Sequence, residues 1–405
     1  MSGTSTPLPV ACVSVSAALG GSEWVLLDFA ARAARLDLAA TVVLPKTGPL
    51  GETLQAAGVS VAVAPADEEL LAATQRQMLS PQGLVRFGRG LARWSGAIAK
   101  TVAPLGGAGG PAPILYSNGF KAHLACSLLR AHRHVWHLHE FPPERLDLIW
   151  RSLASALPDA RIANSAAVAA AWTLGGRARP VVIPNGVDLA RFKPAPRSFW
   201  IHELLGLAHD ARLIGMPAVF ARWKGHLQVV EAFERAAARL EDTHLVLVGG
   251  PIYDTTAERG YAEELVRRVR RSSASGARRQ QPLSDRIHFV KFDPEPWRLY
   301  PEFDLVVHFS TRPEPFGRVI AEAMASGVPV IAADAGGPRD IVEDGVTGWR
   351  VPPGDVMALA ERIVGAFEAD TGPMRAAARR AAEERFSAER FAREVADVLH
   401  RVAAS

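Results

Sequence analysis

Cysteine is almost absent from this chain: Cys12 and Cys126 are the two in 405 residues. Two thiols cannot build a disulfide framework, and no Cys/His spacing suits zinc. Both lie in apolar runs, where cysteine acts as a small hydrophobe. Charge of one sign is also scarce. Lys plus Arg number 46 against 42 Asp plus Glu, a surplus too slight for a nucleic-acid partner. Residues 1–190 hold 16 cationic and 12 anionic side chains and the remainder 30 of each, so the first half carries the whole surplus. No apolar stretch reaches the roughly 18 residues of a membrane span. Residues 8–19 are apolar enough to imitate a secretory leader, but no Lys or Arg precedes them. A reducing cytoplasmic compartment is expected.

Several motifs are missing as well. No G-x-G-x-x-G follows the first strand pattern, which argues against a standard dinucleotide site. No G-x-x-x-x-G-K-[ST] occurs, removing the P-loop ATPases, and no G-x-S-x-G elbow marks an α/β-hydrolase. No D-x-D pair is present to hold a metal-bound nucleotide.

What is there is a regular alternation of short apolar runs with longer helical patterns. Strands are predicted in the first half at Val10–Ser16, Thr41–Leu44, Val59–Val63, Ile114–Ser117, Val135–Leu138, Arg161–Ala163 and Val181–Ile183. The second half should supply Leu213–Phe220, His244–Val248, Arg286–Val290, Leu305–Phe309, Val328–Ala332 and Trp349–Val351. Continuously apolar strands separated by amphipathic helices imply parallel sheets covered on both faces. The expected fold class is α/β, with two doubly wound domains facing a cleft where a nucleotide or phosphate ligand would sit. The divide falls in the Pro-rich stretch 184–198, giving domains 1–185 and 186–384, with a closing helix, 385–405, crossing back to the first. Arg267–Arg279 reads as a helix end running into a basic loop.

Residues 311–327 read TRPEPFGRVIAEAMASG. Glu314 falls in the loop after a strand, and Pro315-Phe316-Gly317 opens a helix carrying Glu322. A helix start offers unpaired N–H groups and a positive dipole end to a diphosphate. The two carboxylates are suited to accept hydrogen bonds from hydroxyls on either side of that anion, as the ribose and sugar of a nucleotide sugar would present. Embedded in E-P-F-G-x-x-x-x-E-A-M-A-x-G-x-P-V, the carboxylate pair is a specific signal. Arg222 and Lys224 follow another apolar strand and could stabilise the charge of a departing diphosphate.

With these stretches the chain resembles the retaining glycosyltransferases of family 4, a group with the GT-B fold of two Rossmann-like domains. Further matching stretches are Gly20-Gly21-Ser22-Glu23, Ile183-Pro184-Asn185-Gly186-Val187-Asp188, Lys224-Gly225-His226, Leu247-Val248-Gly249-Gly250, Gly336-Gly337 and Asp344-Gly345-Val346-Thr347-Gly348. The resemblance covers nearly the whole chain, from about residue 10 to residue 400. The resemblance implies that Glu314 contacts the transferred sugar and Glu322 the ribose diol. Phe316, Gly317, Arg318 and Val319 would present backbone to sugar and diphosphate, and Lys224 would meet the diphosphate. Many members carry the companion arginine at a position that here is Val219, so Arg222 either substitutes for it or points outward.

In the first domain, His137 and His139 share one side of a strand if it persists. His139 matches the family's strand-end histidine and is expected to hydrogen-bond a sugar hydroxyl or the reacting centre, with Glu140 orienting or charging it. Gly20 and Gly21 would let backbone approach the ligand, Gly21 on the donor side and Gly20 on the acceptor side, with Ser22 capping the helix that follows. Asn118 and Lys121 are further acceptor-side candidates. The helical pattern Leu84–Lys100 carries an apolar stripe and an Arg/Lys stripe, leaving peripheral membrane contact as one reading and ordinary inward packing as the other.

The expected activity is metal-independent, retaining transfer of a hexose-type sugar from a UDP- or GDP-sugar to a hydroxyl on a glycan, lipid-linked or small-molecule acceptor. No cofactor beyond the nucleotide-sugar co-substrate is expected. A sugar-nucleotide epimerase or a phosphorylase on the same fold is the alternative, and a non-enzymatic carbohydrate-binding protein a third.

Overall fold

The computed structural model describes residues 6–74, 80–107, 109–145, 147–250, 260–271, 283–293 and 295–405. Residues 272–279 of the expected basic loop lie outside that set; the helix before them runs Tyr261–Arg270.

The chain divides into two compact units, Met1–Gly186 with Ala388–Ser405, and Val187–Ser387. The first contains strands β1 (Leu8–Ser14), β2 (Leu38–Leu44), β3 (Ser60–Val63), β4 (Ile114–Asn118), β5 (His134–Leu138), β6 (Ala160–Ala163) and β7 (Val181–Val182). The second contains β8 (Arg212–Pro217), β9 (Thr243–Val248), β10 (Ile287–Val290), β11 (Leu305–His308), β12 (Val330–Ala333) and β13 (Trp349–Val351). All pairings are parallel, in the orders β3-β2-β1-β4-β5-β6-β7 and β10-β9-β8-β11-β12-β13. Each sheet therefore reverses direction once, between β1 and β4 and between β8 and β11. Ligands of doubly wound sheets bind beyond the strand C-termini at such a reversal.

All thirteen expected strands form, with shifted ends. The strand expected to reach Phe220 stops at Pro217, although the Ala218 and Phe220 N–H groups still donate to the Val248 and Gly250 carbonyls. Alternation sends neighbouring side chains to opposite faces: in β1, Val10 and Cys12 join one core and Ala11 and Val13 the other. Burial pushes both cysteine thiols up, keeping them inert. The final helix, Ala388–Ala404, places Phe391, Val395, Leu399 and Val402 in the first unit's core at helical spacing.

The helix expected over residues 84–100 spans Pro81–Val102, with Ser80 Oγ accepting from the Gly83 N–H at 3.0 Å as its cap. Its stripe from Phe87 through Leu91 and Trp94 to Ile98 packs into the core. Of the expected apolar stripe only Leu84 stays exposed, with Val85 beside it. Arg86 and Arg93 pair with Glu69 and Asp67. The apolar stripe is thus spent on inward packing, the second of the two readings, and among the described residues no helix is long and apolar enough to cross a membrane.

Gly215, in the middle of β8, has no room for a side chain: an added Cβ would stand 2.4 Å from the buried Phe303 ring. Gly215→Ala should cost about 1–3 kcal/mol through overpacking, read as a lower urea midpoint at unchanged slope.

Candidate functional site

In the second unit, the loops after β8 and β11 emerge side by side at the reversal. After β8 the chain makes a short turn, Arg222–Lys224, and passes Gly225 in a left-handed conformation at φ 81°. A Cβ there would fall 2.1 Å from the Phe309 carbonyl oxygen, so only glycine lets the Lys224 loop approach the end of β11 this closely. Glu314 is fixed from the other side. Its backbone bridges to Gly336, its carbonyl accepts from the Gly337 N–H at 2.8 Å, and a Cβ on Gly336 would strike that carbonyl.

Three donors converge on one oxygen of the buried Glu314 carboxylate. Lys224 Nζ donates to Oε2 at 2.7 Å and Ser310 Oγ at 2.7 Å, while His308 Nε2 lies 3.2 Å away. Burial alone would raise this carboxyl; the Lys224 ammonium and the His308 contact outweigh it and hold it well below the usual carboxylate range. Oε1 accepts no hydrogen bond from the described residues and is the oxygen left for a ligand hydroxyl.

Eight residues on, Glu322 lies one turn into the helix Arg318–Ala325. Arg318 Nε donates to its Oε1 at 2.7 Å and the Tyr300 hydroxyl to its Oε2 at 2.5 Å. Phe316 turns its ring into the core against Phe386, so its backbone alone is available to a ligand. Gly317 caps the helix at φ 102°, and Val319 packs partly on the same core.

Arg222 takes the outward of its two readings. Its guanidinium bonds Glu264 at 2.5 Å and covers the Tyr261 ring, and it does not join the Glu314 network. A half-exposed arginine two residues before Lys224 reaches the neighbouring helix more readily than the sheet edge.

In the first unit, adjacent strands β1, β4 and β5 bring Gly20, Gly21, Asn118, Lys121, His137 and His139 to neighbouring strand ends. The His137 and His139 rings do share a side, with centroids 3.8 Å apart. Burial pushes His139 down to about 3, so it is neutral, and Glu140 does not charge it. The Glu140 carboxylate acts instead on Lys121, whose ammonium donates to the Leu71 carbonyl and is pushed down by burial to about 8. Asn118 is buried, donates to the Ser22 carbonyl at 3.3 Å, and leaves Oδ1 without a partner among the described residues. Ser22 is not the cap: the helix begins at Gly21, with Gly20 in the cap position. An added Cβ on Gly21 would meet nothing within 4 Å, so packing does not require glycine there.

Behind His139 lies a buried network that the sequence reading missed. Ser117 Oγ joins His123 Nδ1 at 2.6 Å and His134 Nε2 at 2.8 Å, His123 stacks on Trp136, and Tyr116 bonds His137. Tyr300, His308 and Ser310 were also missed. A histidine interrupting the apolar strand end was the available signal for His308; nothing in the sequence joins Tyr300 to Glu322.

Two doubly wound parallel sheets, one with a buried cation–carboxylate cluster at its reversal, define a GT-B architecture. The model described as "Glycosyltransferase Family 4" matches residues 19–191 and that described as "Glycosyl transferases group 1" matches 201–385. The chain belongs to the GT4-like glycosyltransferases. Curated relatives include D-inositol 3-phosphate glycosyltransferases of Xylanimonas cellulosilytica, 35% identical over 54% of this chain and 50% of that protein, and of Mycolicibacterium gilvum, 34% identical over 47% and 39%. The chain thus spans half or less of the length of these relatives. Anabaena Alr3699/HepE in complex with UDP-glucose superposes with a TM-score of 0.78 at 27% identity, covering 97% of this chain and 100% of that one. Sucrose-phosphate synthase of Thermosynechococcus elongatus shares the fold, at 21% identity and a TM-score of 0.75 over 98% and 100% of the two chains.

The histidines of the first unit set a pH dependence. His134 and His139 have folded-state values near 3 against an ordinary 6.5, so the unfolded chain binds protons that the native state refuses. Stability should fall as pH drops from about 6.5 towards 3, with Glu314 adding to the loss below its ordinary 4.5. Urea midpoints measured across that range should decline, and His134→Gln should flatten the decline above pH 4.5.

Proposed function

We propose that the chain moves a hexose-type sugar from a nucleoside diphosphate sugar, a UDP-sugar first among them, to a hydroxyl acceptor with retention at the anomeric carbon. The observation that carries this reading is the Lys224–Glu314 cluster followed one helix turn later by Glu322. It supplies, in order, a cation for a diphosphate, a carboxylate for sugar hydroxyls and a carboxylate for a ribose diol. The UDP-glucose complex of the Anabaena neighbour supports the donor class.

In the proposed step the bond from the anomeric carbon to the phosphate oxygen breaks and a bond to the acceptor oxygen forms on the same face. The acceptor proton passes to the departing phosphate oxygen, and the nucleoside diphosphate leaves. Lys224 and the amide end of the helix Arg318–Ala325 would stabilise the charge gained by the leaving group. Without a D-x-D pair, these protein groups stand in for a metal. The Oε1 atom of Glu314 would accept from the sugar.

The first unit would hold the acceptor, a hydroxyl on a glycan, lipid-linked or small molecule, with Gly20, Asn118 and Lys121 among its contacts and Gly21 nearer the donor. His139, neutral by burial, is suited to hydrogen bonding and poorly suited to act as a base.

A thermal-shift panel of UDP-, GDP- and ADP-sugars should reveal one donor series that raises the melting temperature. With that donor, Lys224→Ala should lower transfer at least about 100-fold and Glu314→Gln comparably, because each removes charge stabilisation in a buried site. Arg222→Ala, losing a surface contact to Glu264, should cost about tenfold or less. Undiminished transfer by Lys224→Ala would overturn the assignment, and an inverted anomer in the product would overturn retention.

A further inference from the structure

We infer that Tyr300 is a positioning residue that sets the orientation of Glu322 and thereby the preference for a ribose over a 2′-deoxyribose donor. The inference rests on the donor-site reading above and concerns a residue outside the acidic motif. Tyr300 begins a short turn, Tyr300–Glu302, just before β11, and its ring is buried among Leu299, Phe303 and Phe192. Its hydroxyl is the one polar atom of the side chain, and it reaches Glu322 Oε2 at 2.5 Å from 22 positions earlier in the chain.

A carboxylate on a flexible side chain can rotate about its last bond unless both oxygens are engaged. Arg318 holds Oε1 from the same helix, and Tyr300 holds Oε2 from the turn before β11. Two donors from different elements fix the carboxylate plane, as bidentate reading of two adjacent hydroxyls requires. Burial and the neighbouring carboxylate push the phenol up, so at physiological pH it stays protonated and acts as the donor in this contact.

The experiment compares UDP with 2′-deoxy-UDP binding to the full chain by calorimetry, in wild type and in Tyr300→Phe. The substitution keeps the ring and its packing and removes one oxygen. Wild type should bind the ribo form about tenfold or more tightly than the deoxy form, the loss expected when a charged acceptor loses one hydrogen bond. In Tyr300→Phe the ribo affinity should fall about tenfold while the deoxy affinity holds, so that the ratio approaches one. Equal weakening of both forms, with the ratio preserved, would overturn the inference, as would a wild type that does not discriminate. A variant that no longer folds would assign the phenol to stability and overturn it too. Failure of the wild type to bind any nucleoside diphosphate would instead remove the donor-site reading, which keeps the two failures distinct.

Discussion

The contact between Lys224 and Glu314 organises the second unit. Its partners arrive from loops after β8 and β11, strands adjacent in the sheet but ninety residues apart in the chain. A buried ion pair is costly to assemble and costlier to break by halves, since the remaining charge is left uncompensated. Here the cost is offset by converging donors from Ser310 and His308 on the same carboxylate oxygen. The glycines at 225 and 336 make the geometry possible by letting backbone pass where a Cβ would collide. A diphosphate entering this site would meet a cation already held in position, at the cost of sharing it with Glu314.

The first unit solves a different electrostatic problem. Its strand ends carry histidines rather than an ion pair, and burial keeps those described at the site neutral. Composition gave this half the entire cationic surplus, but the surplus does not gather at the strand ends. Lys121 is tied to a backbone carbonyl, and Arg86 and Arg93 lie in surface pairs. Net charge over a long segment says little about the field at one site, because surface pairs and solvent screen most of it.

Much of the fold was legible because periodicity is local. Strands such as Thr243–Val248 are apolar at every position because both faces of a parallel sheet are covered, and that pattern survives in the sequence. The placement of Glu314 in a loop and of Glu322 one turn into a helix was legible for the same reason, since it depends on local pattern alone. The direction of Arg222 stayed open because it depends on Glu264 and Tyr261, which belong to a helix forty residues later. Ser22 was assigned a capping role that falls one residue from where the helix starts, the usual scale of error for a local boundary.

From the sequence alone came the two-unit α/β architecture, the thirteen strands, the family and the two carboxylates of the acidic motif. These are set by residue type at short spacing, where secondary structure and helix-end chemistry are decided. Only the tertiary structure decided which oxygen of Glu314 is occupied, that Arg222 turns to Glu264, that Tyr300 meets Glu322, and that His139 is held neutral. Each of those depends on burial or on a partner tens of residues away, and neither leaves a periodic trace in the chain.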